Sequence, residues 1–287
     1  MRTGRTRTAT RVIWRTALFL LVFINAGCHS KAGLKDSGPD TVTYIAHDES
    51  FAGPTNIAAG HITVRLVNEG EDPHHIQFIK LLHGKTADDL IAAIKTASSV
   101  TPVWARYAGG PNAVVGNETS EATIDLEAGE YVVVCQVPDR QGRPHFARGM
   151  IKPVRVTSGP PARGGPTKDS ADAVVRAVDF RFNLQQPLQA GRQRIRLVNR
   201  GSQPHELVVI QLMPNATLKD FVEFLGPKAA GPAPGRPIGG ITGLEQDEEG
   251  SFPVNLAPGH YGLICFLPDA AGVPHFAKGM TMEFDVE

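Results

Sequence analysis

Apolar and polar residues alternate in two stretches that lie far apart in the chain. Ile62, Val64 and Leu66 take every second position in one, and Ile195 and Leu197 do so in the other, the period of a strand with one buried face. Two further runs, "EAGEYVVVC" ending at Cys135 and "APGHYGLIC" ending at Cys265, follow glycine turns and are apolar enough for core strands. The period lengthens to that of a helix once in each half. Thr86 can cap "ADDLIAAIKTA", with Asp88 and Asp89 in the favourable first turn and Leu90, Ile91 and Ile94 on one face. Leu218, Phe221, Val222 and Leu225 make the matching stripe, and both stripes read as core packing.

The two halves are copies. "GHITVRLVNEGEDPHHIQFIKL" from Gly60 aligns with "GRQRIRLVNRGSQPHELVVIQL" from Gly191 at an offset of 131, and "LEAGEYVVVCQVPDRQGRPHFARGM" from Leu126 aligns with "LAPGHYGLICFLPDAAGVPHFAKGM" from Leu256 at 130. Between them "SGPPARGGPTKDSAD" is rich in proline, glycine and small polar residues and reads as a linker. The pattern predicts an all-β chain of two tandem Greek-key β-sandwich domains, at 41–157 and 172–287, each with a short inserted helix, joined by a linker at 158–171. A chain of 287 residues is long enough for two such cores.

Charge singles out the N-terminus. The chain is formally neutral, but Arg2, Arg5, Arg7, Arg11 and Arg15 lie in a first segment without acids, leaving 24 basic against 29 acidic residues elsewhere. Without a long basic stripe, no nucleic-acid partner is expected. The arginines precede the apolar run "ALFLLVFINAG", which is short for a membrane span, and then Cys28. Residues 1–27 therefore read as a signal peptide. "NAGC" resembles a bacterial lipobox, which implies acylation of Cys28, a tether over 28–40 and attachment to a lipid membrane of the cell envelope. Ordinary cleavage with Cys28 incidental, or an uncleaved anchor, are the alternatives.

The repeat also duplicates an ordered set of chemistry-bearing residues: His74, Cys135, His145 and Met150, then His205, Cys265, His275 and Met280. Two imidazoles and a thiolate in a plane, with a weak thioether on the axis, make a mononuclear blue-copper centre. Soft sulfur suits Cu(I) and imidazole suits both oxidation states, so redox cycling is favoured over hydrolysis. Other readings of these residues remain open. Cys135 and Cys265 could pair as a disulfide or pack as free thiols, the methionines could fill the core, and the histidines could be satisfied by backbone.

"NEGEDPHH" and "NRGSQPHE", "GEYVVVC" and "GHYGLIC", and "PHFARGM" and "PHFAKGM" resemble the copper-binding motifs of the cupredoxin family, the plastocyanin and azurin type. The resemblance covers nearly all of both halves. It implies His74 and His205 as first ligands, Cys135 and Cys265 as thiolates, His145 and His275 as solvent-edge imidazoles, and Met150 and Met280 as axial sulfurs. The cofactor implied is type 1 copper, one or two per chain. One departure stands out: nine residues separate each cysteine from its histidine, more than the family usually has, so "PDRQG" or "PDAAG" must bulge outward for the histidine to return. His29, His47, His61, His75, His83 and His260 form no repeated set and read as surface or tether residues. The expected function is one-electron transfer in the envelope, without catalysis, with a redox partner protein. Copper storage or delivery, with a donor or acceptor protein, and a metal-free binding module are the alternatives.

Overall fold

The computed structural model describes residues 41–96, 101–159, 170–226 and 230–287. The signal segment, Cys28, His29, the tether and most of the linker lie outside them. In the first copy the strands are β1 (Thr41–His47), β2 (Ser50–Ala52), β3 (Asn56–Ala58), β4 (Gly60–Asn68), β5 (Gln77–Leu81), β6 (Ala105–Tyr107), β7 (Thr119–Leu126), β8 (Gly129–Val134) and β9 (Ile151–Thr157), with α1 (Ala87–Thr96) after β5. In the second they are β10 (Ala173–Val178), β11 (Arg181–Leu184), β12 (Gly191–Asn199), β13 (His205–Leu212), β14 (Gly235–Leu244), β15 (Glu249–Leu256), β16 (Gly259–Ile264) and β17 (Thr281–Val286), with α2 (Leu218–Phe224) after β13.

Each copy is a Greek-key sandwich of two sheets. One sheet runs β2-β1-β4-β7 in the first copy and β11-β10-β12-β15 in the second, and the facing sheets run β3-β9-β8-β5-β6 and β14-β13-β16-β17. The alternation in β4 points Ile62, Val64 and Leu66 inward, and the buried Asn68 continues their row. Both helices begin with the same reciprocal cap. Thr86 Oγ1 accepts from Asp89 N while Thr86 N donates to Asp89, and Thr217 with Asp220 repeats the arrangement. The second stripe stops short, however: α2 ends at Phe224, and Leu225 after it is exposed.

The copies are fused rather than merely linked. β7 meets β15 at Thr123 and Ser251, so one sheet from each copy joins into a single eight-stranded sheet. Across the other layer, the segment around Gly109 and Gly110 lies against β14, with Gly109 N donating to Gly243 O (2.8 Å) and Thr242 N to Gly110 O (2.9 Å). A Cβ on Gly110 would lie 2.2 Å from Ile76 O, and one on Gly240, its counterpart, 2.0 Å from Leu207 O. Only glycine lets the backbones cross so closely. Buried residues of both copies accordingly form one continuous core, with a small satellite under α2 around Ile210, Leu218 and Phe221.

Candidate metal centres

At one end of each sandwich the topology gathers residues remote in sequence. His74 precedes β5 and Cys135 follows β8, and because β5 and β8 are paired neighbours, the two side chains meet. Cys135 Sγ lies 3.7 Å from His74 Nδ1 and 3.6 Å from His145 Nδ1, and the two Nδ1 atoms are 3.0 Å apart. In the second copy Cys265 Sγ lies 3.5 Å from His275 Nδ1, which is 3.1 Å from His205 Nδ1. The cysteines are free thiols, which disposes of the disulfide. Met150 and Met280 are fully buried beside them; Cys135 N donates to Met150 O (3.1 Å), and Met150 N to His145 O (3.1 Å).

The long segment from cysteine to histidine does bulge and return. His145 N donates to Val137 O (3.0 Å) and Phe146 N to Cys135 O (2.8 Å), while Pro138 and Pro144 pair across the base of the excursion. The tip is held by Asp139, whose carboxylate accepts from the peptide N–H of Gln141 and Arg143 (2.9 Å each). Asp269 does the same for Ala271 and Val273. The extra residues therefore form a closed turn outside the centre.

Two partners escaped the sequence reading. Asp48 Oδ1 lies 3.2 Å from His74 Nε2, and Asp179 Oδ1 lies 2.9 Å from His205 Nε2. With Nε2–H donated to the carboxylate, each Nδ1 keeps its lone pair and faces the thiol. The aspartates also accept peptide N–H bonds from the loop that carries the histidine, Glu71 in one copy and Ser202 in the other. Asn68 and Asn199 brace the same loops: Asn68 Nδ2 donates to Asp72 O and Val114 O, and Asn68 Oδ1 accepts from Gly70 N. A signal for the aspartates was present, because Asp48 and Asp179 stand at the same offset of 131 as the strands beside them.

Neither second histidine lies at a solvent edge, contrary to what the motif implied: His145 and His275 are both 0% exposed. Phe180 covers His275 edge to face at 5.1 Å, with Lys278 Nζ 4.6 Å above the phenyl ring. The corresponding Glu49 instead pairs with Arg148 (2.5 Å), which also approaches Asp139, and Asp72 stands 3.7 Å from His145 Nε2. His275 thus has an aromatic neighbour and His145 an acidic one. His75 is not a surface residue either. It is buried, with Nε2 accepting from Gln136 N (2.8 Å), and its counterpart Glu206 accepts from Phe266 N (2.9 Å). His47 and His83 are exposed, and His61 and His260 are half-buried.

Burial sets the protonation. It lowers the basicity of His74, His145 and His205, and takes His275 down to about 4, so all four imidazoles are neutral at neutral pH. Burial pushes the Cys135 thiol up to about 12 and raises Cys265 as well, against peptide N–H groups of His75 and Val137, or Glu206 and Leu267, that favour the thiolate. Two nitrogen lone pairs and a sulfur thus converge, while His145 Nε2 and His275 Nε2 have no hydrogen-bond partner. Nitrogen and sulfur atoms 3.5–3.7 Å apart, all within 4.8 Å of one another in each group, are close enough that one metal ion could be held by all three. Two histidines, a thiolate and a neighbouring thioether are the donor set of type 1 copper.

Each copy has a cupredoxin fold. Strand order and the placement of the ligand set at one end of the sandwich define it. No protein-family model matches the sequence, and no curated protein matches it. Among solved structures, auracyanin A, a blue copper protein from the green thermophilic photosynthetic bacterium Chloroflexus aurantiacus, is 24% identical over 42% of this chain and 100% of its own, with a TM-score of 0.30. Reduced auracyanin from the photosynthetic bacterium Roseiflexus castenholzii is 18% identical over 41% of this chain and 97% of its own, with a TM-score of 0.28. A blue copper oxidase from Nitrosomonas europaea covers 86% of this chain and 84% of its own at 14% identity, with a TM-score of 0.24.

Proposed function

We propose that the protein is an electron-transfer protein of the bacterial envelope, tethered to a membrane through acylated Cys28, with type 1 copper in both copies. His74, Cys135, His145 and Met150 hold one ion, and His205, Cys265, His275 and Met280 hold the other. The observation that carries this reading is the pair of buried His-Cys-His triangles. Donor atoms held by the buried ends of the strands would present one geometry to both oxidation states and keep reorganisation small.

The test is direct. Mature protein with intact thiols, loaded with Cu(II), is expected to take up two copper ions per chain, to show intense thiolate-to-copper visible absorption and to give reversible voltammetry. Copper bound only as Cu(I) and passed to an acceptor, without reversible cycling, would make it a storage or delivery protein. No copper would overturn both.

Asp179→Ala frees His205 Nε2 and the loop behind it, and is expected to weaken metal binding at the second centre by about 10–100-fold, the usual effect of removing such a partner. A competition titration against a calibrated chelator measures it. Phe180→Ala uncovers His275 at the second centre only. Stopped-flow removal of copper should then become biphasic, with the fast phase amounting to half of the bleached absorption; an unchanged time course would show that Phe180 does not gate access.

A further inference from the structure

The residue after the first histidine differs between the copies. In both it accepts the peptide N–H that follows the cysteine: His75 Nε2 from Gln136 N (2.8 Å), and Glu206 Oε1 from Phe266 N (2.9 Å). One acceptor is a neutral ring and the other an acid. The second oxygen of Glu206 also accepts, from Asn112 Nδ2 (3.2 Å) of the first copy, and that amide is held in its orientation because Asn112 Oδ1 accepts from Ala113 N (2.8 Å). With an N–H directed at each oxygen, the bonds fit a carboxylate, which only accepts.

Glu206 is 4% exposed, and among the described residues no cation pairs with it. A buried anion without a counter-charge is costly. It is covalently next to His205 and hydrogen-bonded to the residue next to Cys265, so a cation held by those two ligands would supply the missing charge. The other charges near the two centres differ less in effect. Asp48 at the first has its match in Asp179 at the second, Arg148 is paired with Glu49 and Lys278 with Asp269. Asp72 beside His145 has no acidic counterpart, but its side chain is 34% exposed and screened by solvent. The buried carboxylate is the difference that remains.

We propose that Glu206 holds the second centre at a lower reduction potential than the first, because a buried anion beside His205 and Cys265 favours a divalent ion over a monovalent one. This rests on the copper reading above. Copper(II) gains one electron to become copper(I), and that step is harder where a negative charge is fixed nearby. Hydrogen bonding around the cysteine sulfur is one of the controls on potential at such centres, and here the acceptor at the adjoining peptide is charged in one copy and neutral in the other. The pair is therefore unequal. An electron on the second centre passes to an oxidised first centre: copper(I) at the second becomes copper(II), copper(II) at the first becomes copper(I), and no atom or proton is transferred.

The experiment uses the mature two-copy chain in alkaline buffer, above the value of about 7 to which burial pushes the Glu206 carboxyl. Cys135→Ser leaves copper at the second centre and Cys265→Ser at the first, so voltammetry of each gives one potential. The second is expected below the first. Glu206→Gln, which removes the charge and keeps the size, is then added to Cys135→Ser. It is expected to raise the potential at unchanged copper content, moving the copper(I) to copper(II) ratio at a fixed applied potential by about tenfold, or about 59 mV for one electron. Glu206→His, which installs the residue of the first copy, serves if the glutamine variant folds poorly. A redox-silent measurement accompanies these. In metal-free Cys135→Ser protein, competition titrations should show Glu206→Gln weakening Zn(II) relative to Ag(I) by a similar factor, as a lost charge requires and a lost packing contact does not. An unmoved potential with copper fully bound, or a second potential at or above the first, would overturn the role of Glu206 while leaving the copper assignment standing. Equal weakening of Zn(II) and Ag(I) would overturn it in favour of packing. A wild-type protein without copper would overturn the copper reading, and the unequal pair with it.

Discussion

Cys135→Ser protein is expected to hold one copper ion fewer per chain than the wild type, with the visible band reduced to the contribution of the second centre. Cys265→Ser should give the mirror result, and the double variant should bind no type 1 copper. The argument rests on what sulfur supplies. In the metal-free chain burial pushes the Cys135 thiol up to about 12, so the proton leaves only when a cation replaces it. Thiolate is the soft donor that gives copper its affinity and its colour here, and a serine hydroxyl offers neither. The fold should persist, because serine is slightly smaller and the nearby Nδ1 atoms accept its hydroxyl proton. Metal analysis beside the thermal melt separates the two effects. Equal copper in wild type and double variant would show that the cysteines are packing residues.

Gly201→Val should abolish the second centre while leaving the first intact. A Cβ at this position would sit 2.4 Å from Asp179 Oδ1 and 2.5 Å from His205 Nε2, inside the hydrogen bond that sets the tautomer of that histidine. The loop cannot yield easily, since Gly201 N is already bonded to Asn199 Oδ1 and the neighbouring Ser202 N to Asp179. Either the histidine or the aspartate must move. Overpacking of this kind costs about 1–3 kcal/mol, and at about 2–4 °C per kcal/mol the melt should fall by several degrees. One copper per chain instead of two, and half of the visible absorption, are the accompanying results. Gly70→Val should transfer the loss to the first centre, where the same Cβ would meet Asp48 Oδ1 at 2.3 Å and His74 Nε2 at 2.8 Å. A fully loaded Gly201→Val protein would mean that the Asp–His pair is dispensable.

The strands and the ligand order were legible because they obey local rules. A period of two fixes which residues of β4 face inward, and a strand ending in cysteine declares itself by its apolar run. Thr86 announced the start of α1 by the same logic, and the end of α2 was misjudged because Leu225 fits the stripe but lies past the last turn. What was not legible depends on distance. Asp48 is 26 residues from the histidine it orients, and nothing local to either predicts the pairing. His75 looked ordinary because the peptide N–H it accepts from, that of Gln136, lies 61 residues away, and Glu206 because its partner Asn112 arrives from the other copy. The neighbours of His145 and His275 are likewise tertiary, so a motif that places an imidazole at the rim says nothing of Phe180 packed against His275 or of Asp72 beside His145. Fusion of the sheets at Thr123 and Ser251 had no signal in the alternation, since an edge strand and an inner strand carry the same pattern.

The closed turn between cysteine and histidine has a consequence for how such a protein can diversify. Its base is pinned by the Pro138 and Pro144 pairing, and by the Pro268 and Pro274 pairing in the second copy, while its tip carries no ligand. Residues 140–143 and 270–273 can therefore be exchanged as cassettes, in an engineered graft or over generations, without retuning the donor atoms. The outer turn and the donor set can thus vary separately, and two copies on one chain allow two different turns beside two similar ligand sets.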